Sequence, residues 1–217
     1  MKIFIVGANG QIGTLLTKEL KDSNQYTPVA MIRKEEQKEK FDKLEVQTVV
    51  GDLEDPIQIL AQSMQKCDAV VFTAGSGGGT GADKTLLIDL DGAVKTMRAA
   101  QEAGIDRFIL VSAYGADNRE LWNEEMKSYY VAKHYADEMV TLSDLHYTII
   151  RPGMLTNEEA IGKIAVGEDA LKSEKKSIPR IDVAKTIVEC LNQESTFRKS
   201  FDLVTGKLAI EDAIEMV

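Results

Sequence analysis

The chain is short of cysteine, histidine, positive charge and long apolar runs, and each shortage removes a class of protein. Two cysteines in 217 residues, Cys67 and Cys190, lie far apart without Cys-x-x-Cys or metal-ligand spacing. The expectation is two buried free thiols in a reducing compartment, not a disulfide framework. The two histidines, His134 and His146, join no cluster of cysteines or carboxylates, so no metal site is expected. With 26 basic against 35 acidic residues the net charge is −9, which argues against a surface built for nucleic acid or anionic lipid. No apolar run is long enough to span a membrane. The first residues enter a core strand at once, so no signal peptide and a cytoplasmic location are expected.

The start of the chain is the richest part of it. Lys2-Ile3-Phe4-Ile5-Val6 reads as a buried parallel strand, Gly7-Ala8-Asn9-Gly10-Gln11-Ile12-Gly13 as a glycine turn, and Thr14–Leu20 as a helix. A strand, a tight turn and a helix start make an anion site, because unpaired backbone N–H groups and the helix dipole point to the same place. Glycine lets the backbone approach a pyrophosphate with no Cβ in the way. The spacing is GxxGxxG, and its place on the first strand gives it weight that the pattern alone lacks.

Apolar runs then alternate with helical patterns. Strands are predicted at Lys2–Val6, Pro28–Ile32, Val46–Val50, Ala69–Phe72, Arg107–Val111 and Tyr147–Ile150. Helices are predicted to start near Gln11, Glu35, Ile57, Lys84, Met126 and Asp182. Such alternation implies an α/β fold of the Rossmann type: a doubly wound parallel sheet of order 3-2-1-4-5-6 in one domain over residues 1–217. After Arg151-Pro152-Gly153 the pattern loosens into a polar segment, Glu168–Ser177, a helix at Val183–Leu191 and a strand-like run at Ser200–Val204. This last part is expected as a small segment covering the substrate at the sheet's C-terminal edge. The one low-complexity stretch is Gly75–Gly81.

The end of the second strand bears on cofactor choice. An NAD site places an acid about 20 residues after the glycine turn; here Arg33-Lys34 stands there, Arg33 being twenty residues past Gly13. A guanidinium suits a 2′-phosphate that a carboxylate would repel, so NADP is expected ahead of NAD.

Several further segments carry a resemblance. They are VVGDLED at Val49–Asp55, FTAGSGGGTGADKT at Phe72–Thr85, IDLDGAVKTMRAAQEAGIDRFILVSA at Ile88–Ala113 and YYVAKHYADEMV at Tyr129–Val140. YTIIRPGML at Tyr147–Leu155 and IPRIDVAKTIVECL at Ile178–Leu191 complete the set. With GANGQIG they make the chain resemble the atypical short-chain dehydrogenases, in particular the small NAD(P)H-binding group with biliverdin reductase B-like and flavin-reductase-like members. The resemblance implies that Gly7, Gly10 and Gly13 shape the pyrophosphate loop, with Asn9, Gln11 and Ile12 on the phosphates. It implies that Asp52 accepts from the adenine amino group with Leu53 against the ring, although a turn aspartate capping the helix near Pro56 reads equally well there. Thr73, Ala74 and Gly75 would line the ribose side, and Pro152 and Gly153 would bring backbone to the nicotinamide.

The implied chemistry rests on Ser112, Tyr129 and Lys133. Tyr129 and Lys133 are four apart on a predicted helix and so share a face. In this class lysine lowers the tyrosine pKa from about 10 and holds the nicotinamide ribose, serine bonds the substrate oxygen, and tyrosine exchanges the proton as hydride moves. His134 is expected to face solvent, His146 to be structural, and Trp122 to anchor its loop. The expected function is an NADP-dependent oxidoreductase reducing a small carbonyl, quinone or flavin-type acceptor. A non-catalytic NADP(H) sensor and an NAD(P)-dependent sugar epimerase are the alternatives, the latter disfavoured by the short chain. The partner is a small molecule, neither nucleic acid nor membrane, and the protein is a monomer or a homodimer.

Overall fold

A computed structural model describes residues 1–77 and 79–217. Gly78, inside the low-complexity stretch, lies outside the described residues. The order runs β1 (Lys2–Val6), α1 (Gln11–Asp22), β2 (Thr27–Ile32), α2 (Lys38–Asp42), β3 (Gln47–Val50), α3 (Ile57–Ser63) and β4 (Ala69–Phe72). A helical stretch follows that is α at its ends, α4 (Ala82–Lys84) and α5 (Ala93–Glu102), and π over Thr85–Gly92. Then come β5 (Arg107–Val111), α6 (Lys127–Thr141), β6 (His146–Pro152), β7 (Met154–Thr156), β8 (Lys163–Val166) and α7 (Gly167–Lys172). The chain closes with β9 (Ser177–Pro179), α8 (Arg180–Cys190), β10 (Lys199–Thr205), β11 (Leu208–Ala209) and α9 (Ile210–Glu215).

Among the described residues one sheet has the order β3-β2-β1-β4-β5-β6-β10-β8-β11. Its first six strands are parallel and in the predicted Rossmann order. The period of two along β1 sends Ile3 and Ile5 to a core with Leu16 of α1 and Val183 and Ile187 of α8. Phe4 and Val6 go to the opposite core with Leu60 of α3, Met97 of α5 and Val140 of α6. Helices on both faces explain why β4 and β5 are apolar or buried at every position.

The last third does more than cover an edge: β10 joins the sheet parallel to β6, and β8 runs antiparallel beside it. β7 and β9 form a separate parallel pair just past the end of β6. Among the described residues no helix is long and apolar enough to cross a membrane.

Arg107 fastens the sheet at the edge opposite the glycine turn. Its guanidinium donates to the carbonyls of Cys190 (2.5 Å) and Leu191 (3.3 Å) at the end of α8 and to that of His146 (2.7 Å). It also lies 4.7 Å over the Phe197 ring. Burial pulls its pKa down to about 10, which still leaves it charged at neutrality against the negative end of α8. Arg107→Met strands three carbonyls and is expected to lower the unfolding free energy by about 3 kcal/mol. Urea unfolding measures it, and a loss below about 1 kcal/mol refutes the role. Cys190 is buried beside this arginine with its thiol pushed up to about 12, an inert position.

Candidate functional site

The glycine turn is built by close backbone approach. Gly7 has φ +80°, and a Cβ there would lie 2.6 Å from the amide nitrogen of Ala74. A Cβ on Gly13 would run into the Gly7 carbonyl and come within 2.8 Å of Ala8 Cα. The Gly10 amide donates to the Gly7 carbonyl at 2.9 Å and closes the turn. Gly10 is the N-cap of α1, and no side chain caps the helix there. The amides of Gln11, Ile12 and Gly13 therefore have no intrahelical acceptor and stay available to an anion. Ile12's side chain belongs to the core, so only its backbone can serve a ligand.

Lys40 of α2 reaches over this turn, donating to Asn9 Oδ1 (3.0 Å) and Thr14 Oγ1 (2.7 Å). Both partners are neutral oxygens, and burial followed by the charge of Lys18 lowers the Lys40 pKa. Arg33 is exposed at the end of β2, and the Gln37 side chain holds that turn by accepting from the Arg33 (2.8 Å) and Lys34 (3.1 Å) amides. Lys40 thus adds a cation at the glycine turn to the Arg33-Lys34 pair that follows β2.

Asp52 follows β3 and accepts the Glu54 amide on Oδ1 at 3.0 Å, a contact within the turn, but it does not cap α3, whose N-cap is Pro56 with no side-chain cap. Leu53 is 8% exposed and packs in the core against Gly92. At the end of β4, Thr73 donates to the Val6 carbonyl through its amide (2.9 Å) and hydroxyl (3.0 Å), while Ala74 lies against Gly7. Gly75 leaves room for Asp89: a Cβ would sit 3.1 Å from its carboxylate. At the end of β6, the Pro152 carbonyl accepts from the Tyr114 amide at 3.0 Å. Gly153 is required because a Cβ would strike the Lys176 carbonyl.

Lys133 reaches the end of β5, next to Ser112 in the chain, and the Tyr129 ring lies beside the lysine. The Ser112 amide donates to Ile150 of β6 at 2.8 Å, holding the serine at the strand end. Lys133, buried on α6, donates to the Val111 carbonyl (3.3 Å) and has its ammonium 5.7 Å from the centroid of the Tyr129 ring. Its nearest carboxylate is Asp89 of the π-helical turn, at 3.1 Å, the two side chains being 4% and 1% exposed. Burial acts to depress the Lys133 pKa, yet Tyr129, Asp89 and Asp137 together raise it, so lysine stays charged. Asp89 also accepts the Ser76 amide at 2.9 Å and so joins the end of β4 to α6. Tyr130, the neighbouring phenol, stacks on Trp122 at 5.9 Å, and burial raises its pKa.

Behind Ser112 lies a charged cluster. Arg151 of β6 donates to Asp137 of α6 (2.8 Å) and to Asp117 (2.7 Å), and Asp202 of β10 accepts the Gly115 amide (2.9 Å). Burial raises the pKa values of Asp137 and Asp202. Sequence reasoning missed Asp89, Asp137 and Lys40. An acid inside the apolar run Leu86–Leu90 and the i+4 spacing of Asp137 from Lys133 were available signals; Lys40 had none. His134 departs from its expected place in solvent: it bonds the Ala116 carbonyl at 3.0 Å and packs edge-on to Trp122, because the loop after β5 folds back over α6.

Residues 7–194 match the profile of a family described as NAD(P)H-binding. The chain is 49% identical over 215 residues to the uncharacterized sugar epimerase YhfK of Bacillus subtilis, covering 99% of each protein. A solved structure from Bacillus halodurans, described as a candidate NAD-dependent epimerase/dehydratase, superposes with a TM-score of 0.93 at 42% identity over 100% of both chains. The oxidoreductase ylbE of Lactococcus lactis superposes with a TM-score of 0.88 at 36% identity, over 100% of this chain and 96% of that one.

Proposed function

The chain belongs to the NAD(P)H-binding family, and on that premise we propose that it is an NADP-dependent reductase acting on a small carbonyl, quinone or flavin-type acceptor. The observation that carries this reading is the arrangement along one edge of the sheet: the uncapped start of α1 after β1, and Ser112, Tyr129 and Lys133 two strands away at β5. The pyrophosphate fits the open amides after Gly10, and the 2′-phosphate fits Arg33 with Lys40. Thr73, Ala74, Gly75, Pro152 and Gly153 border the path between these ends. When bound, the nicotinamide supplies the hydride. Tyr129 holds the proton for the acceptor oxygen, and Lys133 keeps a positive charge beneath that phenol. Ser112 faces the acceptor. The reading implies a single-domain cytoplasmic enzyme, monomeric or homodimeric, with a small-molecule substrate.

The descriptions of the two Bacillus proteins favour a second reading, a sugar epimerase that uses its cofactor transiently. The two differ in stoichiometry, since a reductase consumes one NADPH per acceptor and an epimerase consumes none. Incubation with NADPH and a panel of quinones, flavins and aldehydes decides between them by the loss of NADPH absorbance. Oxidation with any acceptor supports the reductase; interconversion of a nucleotide sugar without oxidation overturns it.

Cofactor choice has its own test. Arg33→Ser is expected to weaken NADPH by about 1.5–3 kcal/mol, the worth of a charged hydrogen bond, and to leave NADH nearly unchanged. Titration calorimetry measures both, and equal wild-type affinities for the two cofactors defeat the assignment.

A further inference from the structure

Among the described residues three buried polar atoms at the candidate site make no hydrogen bond: Asp89 Oδ1, which has the Lys133 ammonium at 3.1 Å, and Ser112 Oγ and Asp137 Oδ1, which belong to neighbouring side chains. The other carboxylate oxygen of Asp137 is taken by Arg151 Nε at 2.8 Å. Buried orphans are costly, and one hydrogen bond between Ser112 and Asp137 removes two of them at once. Tyr129, Lys133 and Asp137 follow each other at intervals of four on α6, so the aspartate lies one turn deeper than the lysine on the same face. We propose that Asp137 is a positioning residue that sets the direction of the Ser112 hydrogen bond. As a carboxylate it accepts the hydrogen bond from the serine hydroxyl and leaves only the serine lone pairs facing the acceptor. As a carboxylic acid it donates to Ser112, and the serine proton turns outward.

The groups that face Asp137 decide where it titrates. Arg151 on β6 and Lys133 on its own helix favour the carboxylate, as does the Ser112 hydroxyl after β5. Asp117 in the following loop and Asp202 on β10 share Arg151 and oppose it, and Asp89 draws on Lys133. Burial outweighs the favourable neighbours and raises the aspartate above its ordinary range. The serine is thereby an acceptor above the Asp137 pKa and a donor below it. Above it the site suits molecules that offer an N–H or O–H to Ser112. Below it the site suits a bare carbonyl or quinone oxygen, which needs a donor.

This inference rests on the reductase reading for its kinetic consequence but not for its hydrogen bond. The carboxyl carbon of Asp137 is followed by NMR in aspartate-labelled protein, with the resonance assigned from Asp137→Asn. Ser112→Ala removes the bond to the charged form, so the Asp137 pKa is expected to rise by about one to two pH units. Ser112→Thr keeps a hydroxyl and is expected to restore it. Should Ser112→Ala not fold, Ser112→Gly replaces it with the same expected rise. An Asp137 pKa indifferent to the loss of the hydroxyl overturns the proposal whether or not any acceptor is reduced. Where turnover is found, kcat for a quinone is expected to rise as pH falls through the measured Asp137 pKa. In Asp137→Asn, whose amide donates permanently to Ser112, that limb is expected to vanish; a limb retained in the variant overturns the proposal as well. Absence of turnover with every acceptor defeats the reductase and leaves the NMR result to decide the hydrogen bond.

Discussion

Gly10→Val is expected to leave the protein folded and to reduce NADPH affinity by at least about a hundredfold, to the point of no detectable binding. The backbone at Gly10 has φ −68° and ψ 172°, values that any residue adopts. A Cβ there meets only the Gly7 carbonyl, at 3.1 Å, a contact that a small movement relieves. The valine methyls instead occupy the space in front of the open amides of α1. Gly13→Val differs in kind, because its Cβ collides with the backbone of Gly7 and Ala8 inside the turn, and the fold itself is expected to suffer. Thermal melts of both variants beside NADPH titrations separate the two effects. Normal NADPH binding by Gly10→Val would reduce the glycine segment to a simple turn.

Tyr129→Phe is expected to keep NADPH affinity, since the ring remains, and to lose about 10²–10⁴-fold in carbonyl reduction, the usual weight of a positioned acid. Binding and kcat measured on the same preparation test both halves. Lys133→Met is a less selective experiment than its spacing from Tyr129 suggests. The lysine is the partner of a buried carboxylate, and its removal leaves Asp89 uncompensated at a cost of about 3–5 kcal/mol. Its loss of activity would mix chemistry with unfolding, whereas among the described residues the phenol has no such partner to strand. If flavin or quinone reduction persists undiminished in Tyr129→Phe, the reductase stands and the tyrosine loses its role, because a strong hydride acceptor needs little help from a protein acid.

The legible part of the fold is the part written locally. Predicted β1, β4 and β5 match the observed bounds because a strand covered on both faces is a continuous apolar run closed by polar residues. Their order followed from the β-α alternation and the handedness of crossovers. The last third resisted because β7, β9 and β11 have only two or three residues each, and because β8 finds its register on β10, which comes later in the chain. At the site, the glycine spacing and the Tyr129–Lys133 interval lie within one turn or one helix and could be read. Asp89 and Lys133 are 44 positions apart, and nothing in either neighbourhood announces the other. His134 shows the limit of helical-wheel reasoning: it adjoins Lys133 and so points away from the lysine's face of α6, but the loop that covers that side comes from outside the helix.

The π-helical turn over Thr85–Gly92 constrains the length of the chain as well as its composition. Bonds from i to i+5 accommodate an extra residue that a regular helix between the same two ends would not hold. That surplus directs the Asp89 carboxylate at both the Ser76 amide and Lys133. Deleting a single residue from the stretch, even one with no side chain at the site, would let it relax to an ordinary α-helix, with the flanking turns kept in register and the wide turn that carries Asp89 lost. The carboxylate would swing off its two partners while the hydrophobic composition stayed almost the same. For this segment the count of residues is itself a functional specification, one that no point substitution tests.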